Sequence, residues 1–410
     1  MVRQKQIIIR AKVLYDGKSR QIEKNIVLAG EKIKEITDKP LHCDIEGFVT
    51  PAFIDAHSHI GMDREGEPWQ ESEVNDVSEQ INPLQDPLNS IYFDDRAFRD
   101  AVDFGVLYSC VVPGSGNLVG GQAKVIRNFA ATRQEAVIKD YGFKMALGYN
   151  PRSTTAWKGK RPNTRMGVYA MLEEKFDDVL LKQAKTGVAR DKKLLELKRK
   201  LKEKKINRVE YDKEKELIDS EYDLEFTSME KALLELLSGQ KIAKVHVHKE
   251  DDVLYLIRLV KKYGLRATAD HTGDVFHREI FDELGKSNIP VVYGPLGALA
   301  YKVELKHAFY QNAALLMKSK AFYGLMTDHP VIQTTALRDS LKFFLIQGMP
   351  AEEAISLITH RNARILGIDN VLGTIEPEKL ASLVVWDKEP LELGAFPILV
   401  VGEGRILRKK

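Results

Sequence analysis

Short apolar runs that break off into a loop, four of them in histidine or aspartate, recur along this chain, and they constrain its fold more than any other feature. The first is "FIDAHSHIGM", residues 53–62, and six more follow: "GVLYSCVVPG", "GFKMALGYNP", "IAKVHVHKE", "LRATADHTG", "IPVVYGPLG" and "AFYGLMTDHP". Each reads as a short buried strand running into a loop, and several lead into helical periodicity, as in "DDVLYLIRLVKKYG". Strands that are apolar on both faces belong in a parallel sheet covered by helices. In a chain of 410 residues, repeated strand–helix units predict an α/β fold, with a TIM-like (β/α)8 barrel ahead of a doubly wound open sheet. Seven strands are legible in this way, and the eighth is not.

The two ends read differently. "QIIIRAKVLYDGKSRQIEKNIVLAGEKIKEI" near the start, and "LVVWDKEP" and "ILVVGEGRIL" near the finish, are Val/Ile-rich runs broken at glycine, the pattern of strands joined by tight turns. Residues 173–238 are dense in Lys and Glu, with a Leu/Ile stripe at helical spacing. They are expected to form a solvated helical insertion, in the shape of a hairpin, because both signs of charge are interleaved. The net charge of +3 makes no general case for a nucleic-acid or membrane partner. Cys43 and Cys110 form no C-x-x-C pair, and the opening residues lack the apolar core of a secretory leader, so a cytoplasmic protein is expected.

Parallel barrels carry their chemistry where strands end and βα loops begin. At those positions stand His57 and His59, His246 and His248, Asp270 and His271, and Asp328 and His329. Residues two apart on a strand share a face, so each His-x-His pair can aim both rings at one point. Imidazole and carboxylate are the usual ligands of Zn²⁺ and similar divalent ions. His42, His277, His307 and His360 are read as structural. "VVPGSGNLVGGQAK" is Gly-rich but lacks the Lys-Ser/Thr of a phosphate loop, and is expected to be an active-site loop. Asp55 is assigned a structural hydrogen bond. Arg152, Arg161 and Arg165 follow the "GYNP" strand end and are candidates for binding a substrate carboxylate, with Arg165 preferred.

The sequence resembles the amidohydrolase superfamily of metal-dependent hydrolases. "VTPAFIDAHSHIGM" looks like its Pro-x-Phe-Ile-Asp-x-His-x-His signature, and "LITHRNARILGI" and "GTIEPEKLASLVVWDKEPLEL" are similar to its usual C-terminal segments. Within it, "PGSGNLVGGQ", "KMALGYNP", "KVHVHKEDD" and "TDHP" are most like imidazolonepropionase-related members. The resemblance implies a small β-sandwich domain from both termini, residues 1–49 and 373–410, around a barrel of residues 50–372. It implies metal ligation by His57, His59, one histidine of "KVHVH", His271 and Asp328. Both histidines of that strand lie on one face; the family pattern favours His246 as ligand and leaves His248 to line the pocket.

Two-metal members bridge their ions with a carboxylated Lys or a Glu from a middle strand. Tyr149 stands where relatives carry that Glu, and Lys144, five residues earlier, is expected to face the far end of the core. A single ion, Zn²⁺ ahead of Fe, Mn or Ni, is therefore expected, with Tyr149, His248 and Arg165 toward the substrate. The implied activity is hydrolysis of a C–N bond other than a peptide bond in a small molecule, by metal-activated water. Asp328 acts as general base, and Asp328 or His271 returns the proton. A homodimer is the family expectation. The rival readings are a deaminase or dipeptidase of the same superfamily, or an inactive barrel serving as a binding scaffold.

Overall fold

The computed structural model describes residues 6–154, 157 and 159–410; the first five residues of the 1–49 segment, and residues 155, 156 and 158 of the 50–372 segment, lie outside the described residues. The N-terminal strands are β1 (Gln6–Tyr15), β2 (Arg20–Ala29), β3 (Lys32–Thr37) and β4 (Ile45–Pro51). Next come β5 (Phe53–Ser58), β6 (Val106–Val111), β7 (Val119–Arg127), β8 (Val137–Ala146), β9 (Ile242–Lys249), β10 (Arg266–Asp274), β11 (Val291–Tyr293) and β12 (Tyr323–Leu325). The chain closes with β13 (Leu383–Trp386), β14 (Pro397–Gly402) and β15 (Arg405–Lys409).

Both ends of the chain join in one seven-stranded sheet of order β15-β14-β13-β4-β1-β2-β3. The β1–β2 turn forms because Asp16 accepts the backbone N–H of Lys18 and Ser19, at 2.8 and 2.7 Å, while Gly17 takes the left-handed φ of +99°. Ile9, Leu14, Ile26 and Val49 pack with Leu383, Val385 and Leu399, so neither terminus has a core without the other. The terminal strands form one continuous ladder, with β1 pairing with β2 on one edge and with β4 on the other.

The remaining strands form an eight-stranded sheet, β12-β11-β10-β9-β8-β7-β6-β5. The strand missing from the sequence reading is β7, and it lies in the second half of the Gly-rich stretch expected to be a loop. It runs antiparallel to both β6 and β8, so a strictly parallel (β/α)8 arrangement is corrected. The reason is chain length: the 112–118 connection is shorter than the dozen or so residues that a parallel crossover needs.

The two edges of this sheet meet through side chains. Asn362 donates to the carbonyls of Ile54 (2.6 Å) and Leu325 (2.8 Å) and accepts from Leu325 N–H (3.1 Å), so one buried amide stitches β5 to β12. Farther along the seam, Thr327 N–H donates to Asp55 Oδ1 at 3.1 Å and its hydroxyl to Oδ2. Asp328 N–H donates to His57 O (3.1 Å), and His59 N–H to His329 O (3.0 Å). Gly324 faces Asn362 so closely that a Cβ would collide with its amide oxygen.

Helices fill the crossovers. Glu250–Tyr263 links β9 to β10, with Glu250, Asp251 and Asp252 in its first turn, Lys261 and Lys262 in its last, and Gly264 closing it in the left-handed region. In the charged segment, Arg165–Lys202 and Arg208–Leu224 pack together around Leu197 and Tyr211, with Arg190–Asp219 (2.6 Å) and Lys193–Glu221 (2.7 Å) pairing across them. Among the described residues, no helix is long and apolar enough to cross a membrane.

Candidate metal centre

Strand register gathers the polar residues of the barrel interior. Lys144 on β8 lies beside Lys244 on β9, and His246, one pleat further along β9, lies beside Ala146 and Asp270. Lys244, His246 and His248 alternate along one face of a strand that is buried almost throughout. Asp270 and His271 are consecutive and in a regular strand would face opposite ways. A φ of +78° at His271, followed by +52° at Thr272, breaks that alternation and lets both reach the interior. Asp328 is also left-handed, at +55°. Such residues each cost roughly 1–3 kcal/mol and persist only where the surroundings over-determine them.

On the β5 side every imidazole has a fixed tautomer. His57 Nδ1 lies 2.6 Å from Asp270 Oδ2 and His59 Nδ1 lies 2.7 Å from Val112 O, and both partners can only accept. The ring protons therefore sit on Nδ1, and each Nε2 carries a lone pair. Those lone pairs point at Asp328 Oδ1, 3.4 Å from His57 Nε2 and 3.2 Å from His59 Nε2. Burial, helped by the Lys144 charge, pushes His57 down to about 3, so the ring is neutral at any ordinary pH. Burial alone would raise Asp328, but the basic groups around it, His59 ahead of His57 and Lys144, hold it below the usual carboxylate range. Two imidazole nitrogens and a carboxylate oxygen converging on one point, with the Lys144 amine 2.8 Å from His57 Nε2, are a donor set that suits a cation.

Lys144 overturns its expected orientation. Its Nζ lies 2.8 Å from His57 Nε2 and the side chain is fully buried. Counting back from Tyr149 failed because β8 ends at Ala146 and the chain has left the strand by 149, whereas the register with Lys244 turns Lys144 inward. Burial lowers its amine to about 8, against the pull of Asp328 and Asp270. Lys244, also fully buried, pairs with Asp270 at 2.8 Å. That lysine, with His57 and Lys144, holds Asp270 well below the carboxylate range although burial works the other way. A lysine inside an otherwise apolar strand was the available sequence signal for both.

The β9–β10 side is less complete. His246, His248 and His271 bring one nitrogen each within 4.8 Å of one another, and His57, His271 and Asp328 form a second such group, with His271 in both. His246 turns Nε2 to Asn150 Nδ2 (3.3 Å) and Glu304 Oε1 (3.5 Å), and His248 Nε2 lies 3.8 Å from the same oxygen. Among the described residues, Nδ1 of His246, Nδ1 of His248 and both nitrogens of His271 have no hydrogen-bond partner although buried. Burial is the main cause that keeps all three well below the usual histidine range; the Lys302 charge adds to it at His246 and His248, and the neighbouring histidines do at His271. Neutral, orphaned imidazoles are ligands in waiting.

Glu304 and Lys302 had no local signal: they stand on the loop after β11 and meet the centre only through folding. Glu304 is 2 % exposed, and its Oε2 accepts the N–H of Tyr149 at 2.6 Å. A carboxylate therefore stands beside residue 149 although the residue itself is tyrosine. The Tyr149 ring lies under Arg152 and is partly exposed. Arg165 is taken up by Asp251 (3.1 Å) and the buried Asp252 (3.0 Å), which removes the bidentate fork expected for a substrate. Arg161 pairs with Asn163, and Arg152 Nε donates to Gly148 O. Of the substrate-side candidates, His248 alone lines the cavity beside the centre, together with Asp328. His329 is buried next to His59 but turns Nδ1 to Thr334 N–H.

The Amidohydrolase family model matches residues 194–405, from the charged segment to the last strand. The chain belongs to the amidohydrolase family. An amidohydrolase from Thermotoga maritima MSB8 superposes with a TM-score of 0.84 at 28% identity, covering 98% of this chain and 100% of that one. Amidohydrolase tasK of Hapsidospora irregularis is 24% identical over 90% of this chain, which spans 37% of that longer protein. An Xaa-Pro dipeptidase with methionine in its active site shares the fold at a TM-score of 0.57 and 15% identity, covering 98% of this chain and 100% of its own.

Proposed function

We propose that the chain is a metal-dependent hydrolase that cleaves a C–N bond, outside peptide linkages, in a small cyclic or linear amide. Its eight-stranded sheet is read as a TIM-like barrel with one reversed strand, and residues 1–49 and 373–410 as the second domain. The observation that carries this reading is the convergence of His57 Nε2, His59 Nε2 and Asp328 Oδ1 with both ring protons committed elsewhere. His57, His59 and Asp328 would hold one ion, and His246 and His271 a second, with zinc suited to the nitrogen-rich set. A divalent ion, when bound, supplies Lewis acidity and brings the pKa of water to about 7.

Two ions are proposed here in place of one because Lys144, expected to face away, lies beside His57, although Tyr149 still stands where a bridging Glu is expected. Lys144 acts by its charge on His246 and His248 as well as on His57 and Asp328. Its amine, lowered to about 8, would be available to add CO₂ as a carbamate with loss of a proton, which would supply a carboxylate beside His57 to help hold the ions. Asp328 takes the proton of the attacking water at its carboxylate and delivers it to the leaving nitrogen. His271 keeps the ligand role alone, because a ring held neutral donates a lone pair rather than a proton.

The test is metal analysis followed by turnover. Protein loaded with Zn²⁺ in bicarbonate should hold two equivalents, and loading should rise as pH passes about 8, where Lys144 becomes neutral. Lys144→Met should hold one. A screen of N-acyl amino acids, lactams, dipeptides and aminopurines should release an amine with a carboxylate; ammonia from aminopurines alone would make it a deaminase instead. Loss of bound metal with no change in any turnover would overturn the reading.

A further inference from the structure

The cavity that opens on Asp328 and His248 is lined largely by apolar and aromatic side chains. Its volume is about 190 Å³, and its walls include Leu296, Tyr301, Leu305, Phe309, Tyr310 and Phe343. An apolar cavity of roughly 150 Å³ is enough to take up benzene. Beyond the walls, Leu299 and Val303 are exposed on the same loop, so the apolar surface continues outward from the mouth. Among the described residues, Asp328 is the one acidic residue of the lining.

One ammonium interrupts this surface. Lys302 lines the cavity with a side chain only 8% exposed, and Asn150 Oδ1 holds its Nζ at 3.2 Å. Glu304 Oε1 lies 3.4 Å away but out of hydrogen-bond alignment, which leaves that oxygen without a hydrogen-bond partner among the described residues. An ammonium has three donors, so donors remain after Asn150 takes one. A pre-positioned, nearly buried cation beside an aromatic cavity suits a carboxylate attached to a bulky apolar group. Arg165, the sequence candidate for that role, is occupied by Asp251 and Asp252.

We infer that the substrate is an N-acylated α-amino acid with an aromatic or large aliphatic side chain, its free carboxylate on Lys302 and its side chain in this cavity. The inference rests on the amide-hydrolase reading above and narrows it. The acyl C–N bond then lies toward Asp328 and His248, the two residues common to cavity and centre.

Binding and turnover separate the two claims. Calorimetry on the metal-loaded protein would compare 3-phenylpropionate with 3-phenylpropanol, which lacks the carboxylate, and with propionate, which lacks the ring. The acid should bind at least about tenfold more tightly than either. Lys302→Met should erase the difference between acid and alcohol, and Ala298→Phe, which fills the cavity, should weaken 3-phenylpropionate but not propionate. An acid–alcohol difference that survives Lys302→Met would place the carboxylate elsewhere and overturn the inference, as would equal binding of propionate. In turnover, N-acetyl-L-phenylalanine should exceed N-acetylglycine and N-acetylphenethylamine. If the binding pattern holds and no amide is cleaved, the hydrolase reading fails and the substrate assignment with it, leaving a binding site for an aromatic carboxylate; if amides are cleaved without that preference, this inference fails alone.

Discussion

The two halves of the centre are built by different means. On the β5 side, His57 and His59 are each locked by an acceptor within 2.7 Å, Asp270 on β10 for one and the carbonyl of Val112, just past the end of β6, for the other. On the β9–β10 side, His246 leans on Glu304 at 3.5 Å, and His271 has no partner among the described residues. The first half is held by strand register and by the seam that Asn362, Asp55 and Thr327 close. The second depends on a loop residue and on whatever ligand its free nitrogens receive. Preorganisation is therefore uneven: strand contacts fix one half before any ion binds, and the other half gains its order on binding.

Four substitutions, from the largest expected effect to the smallest, probe that asymmetry. Asp328→Asn removes the base shared by both halves, so turnover should fall about 10²–10⁴-fold while metal analysis still finds the ions. Retained activity would move the base elsewhere. Asp270→Asn should weaken the His57 half doubly. Metal affinity, read by chelator competition, should drop about 10–100-fold, and stability should fall by about 3–5 kcal/mol because Lys244 is left buried without its partner. Adding Lys244→Met should recover stability in denaturant unfolding but not affinity, and recovery of both would show that Asp270 does not orient His57.

Asn362→Ala unpicks the seam, leaving the Ile54 and Leu325 carbonyls unsatisfied. A loss of about 2–3 kcal/mol is expected in urea unfolding, together with weaker metal binding, since the seam also sets His57 against Asp328. No change in metal affinity would uncouple seam from centre. Glu304→Gln should be mildest, at most about tenfold in affinity for the second ion and none for the first, because its contacts with the imidazoles, at 3.5 and 3.8 Å, are not hydrogen bonds. An effect as large as that of Asp270→Asn would erase the asymmetry.

Much of this was legible in the chain. A period of two decides that His57 and His59 share a face, and that Lys244, His246 and His248 do, because alternation is a property of the strand alone. Apolar runs marked every barrel strand except β7, whose Gly-rich start reads as a loop and whose antiparallel course follows from a short connection. Lys144 was misplaced because its direction depends on where β8 ends and on its register with β9, which are set by pairing between distant segments. Asp270 stood in plain view as a strand-end carboxylate, yet its contact with His57 depends on the sheet bringing β10 opposite β5, and His271 joins it only through its left-handed turn.

The sequence by itself determined which residues could bind a metal and that strand ends would carry them, since burial and alternation are local and follow from residue type. Tertiary structure alone decided which nitrogen of each ring faces inward, that Lys144 joins the centre, and that Glu304 and Lys302 furnish its outer wall. Those choices depend on acceptors such as Asp270, Val112 and Glu304 that lie far away in the chain and come within hydrogen-bonding distance only when the sheet closes.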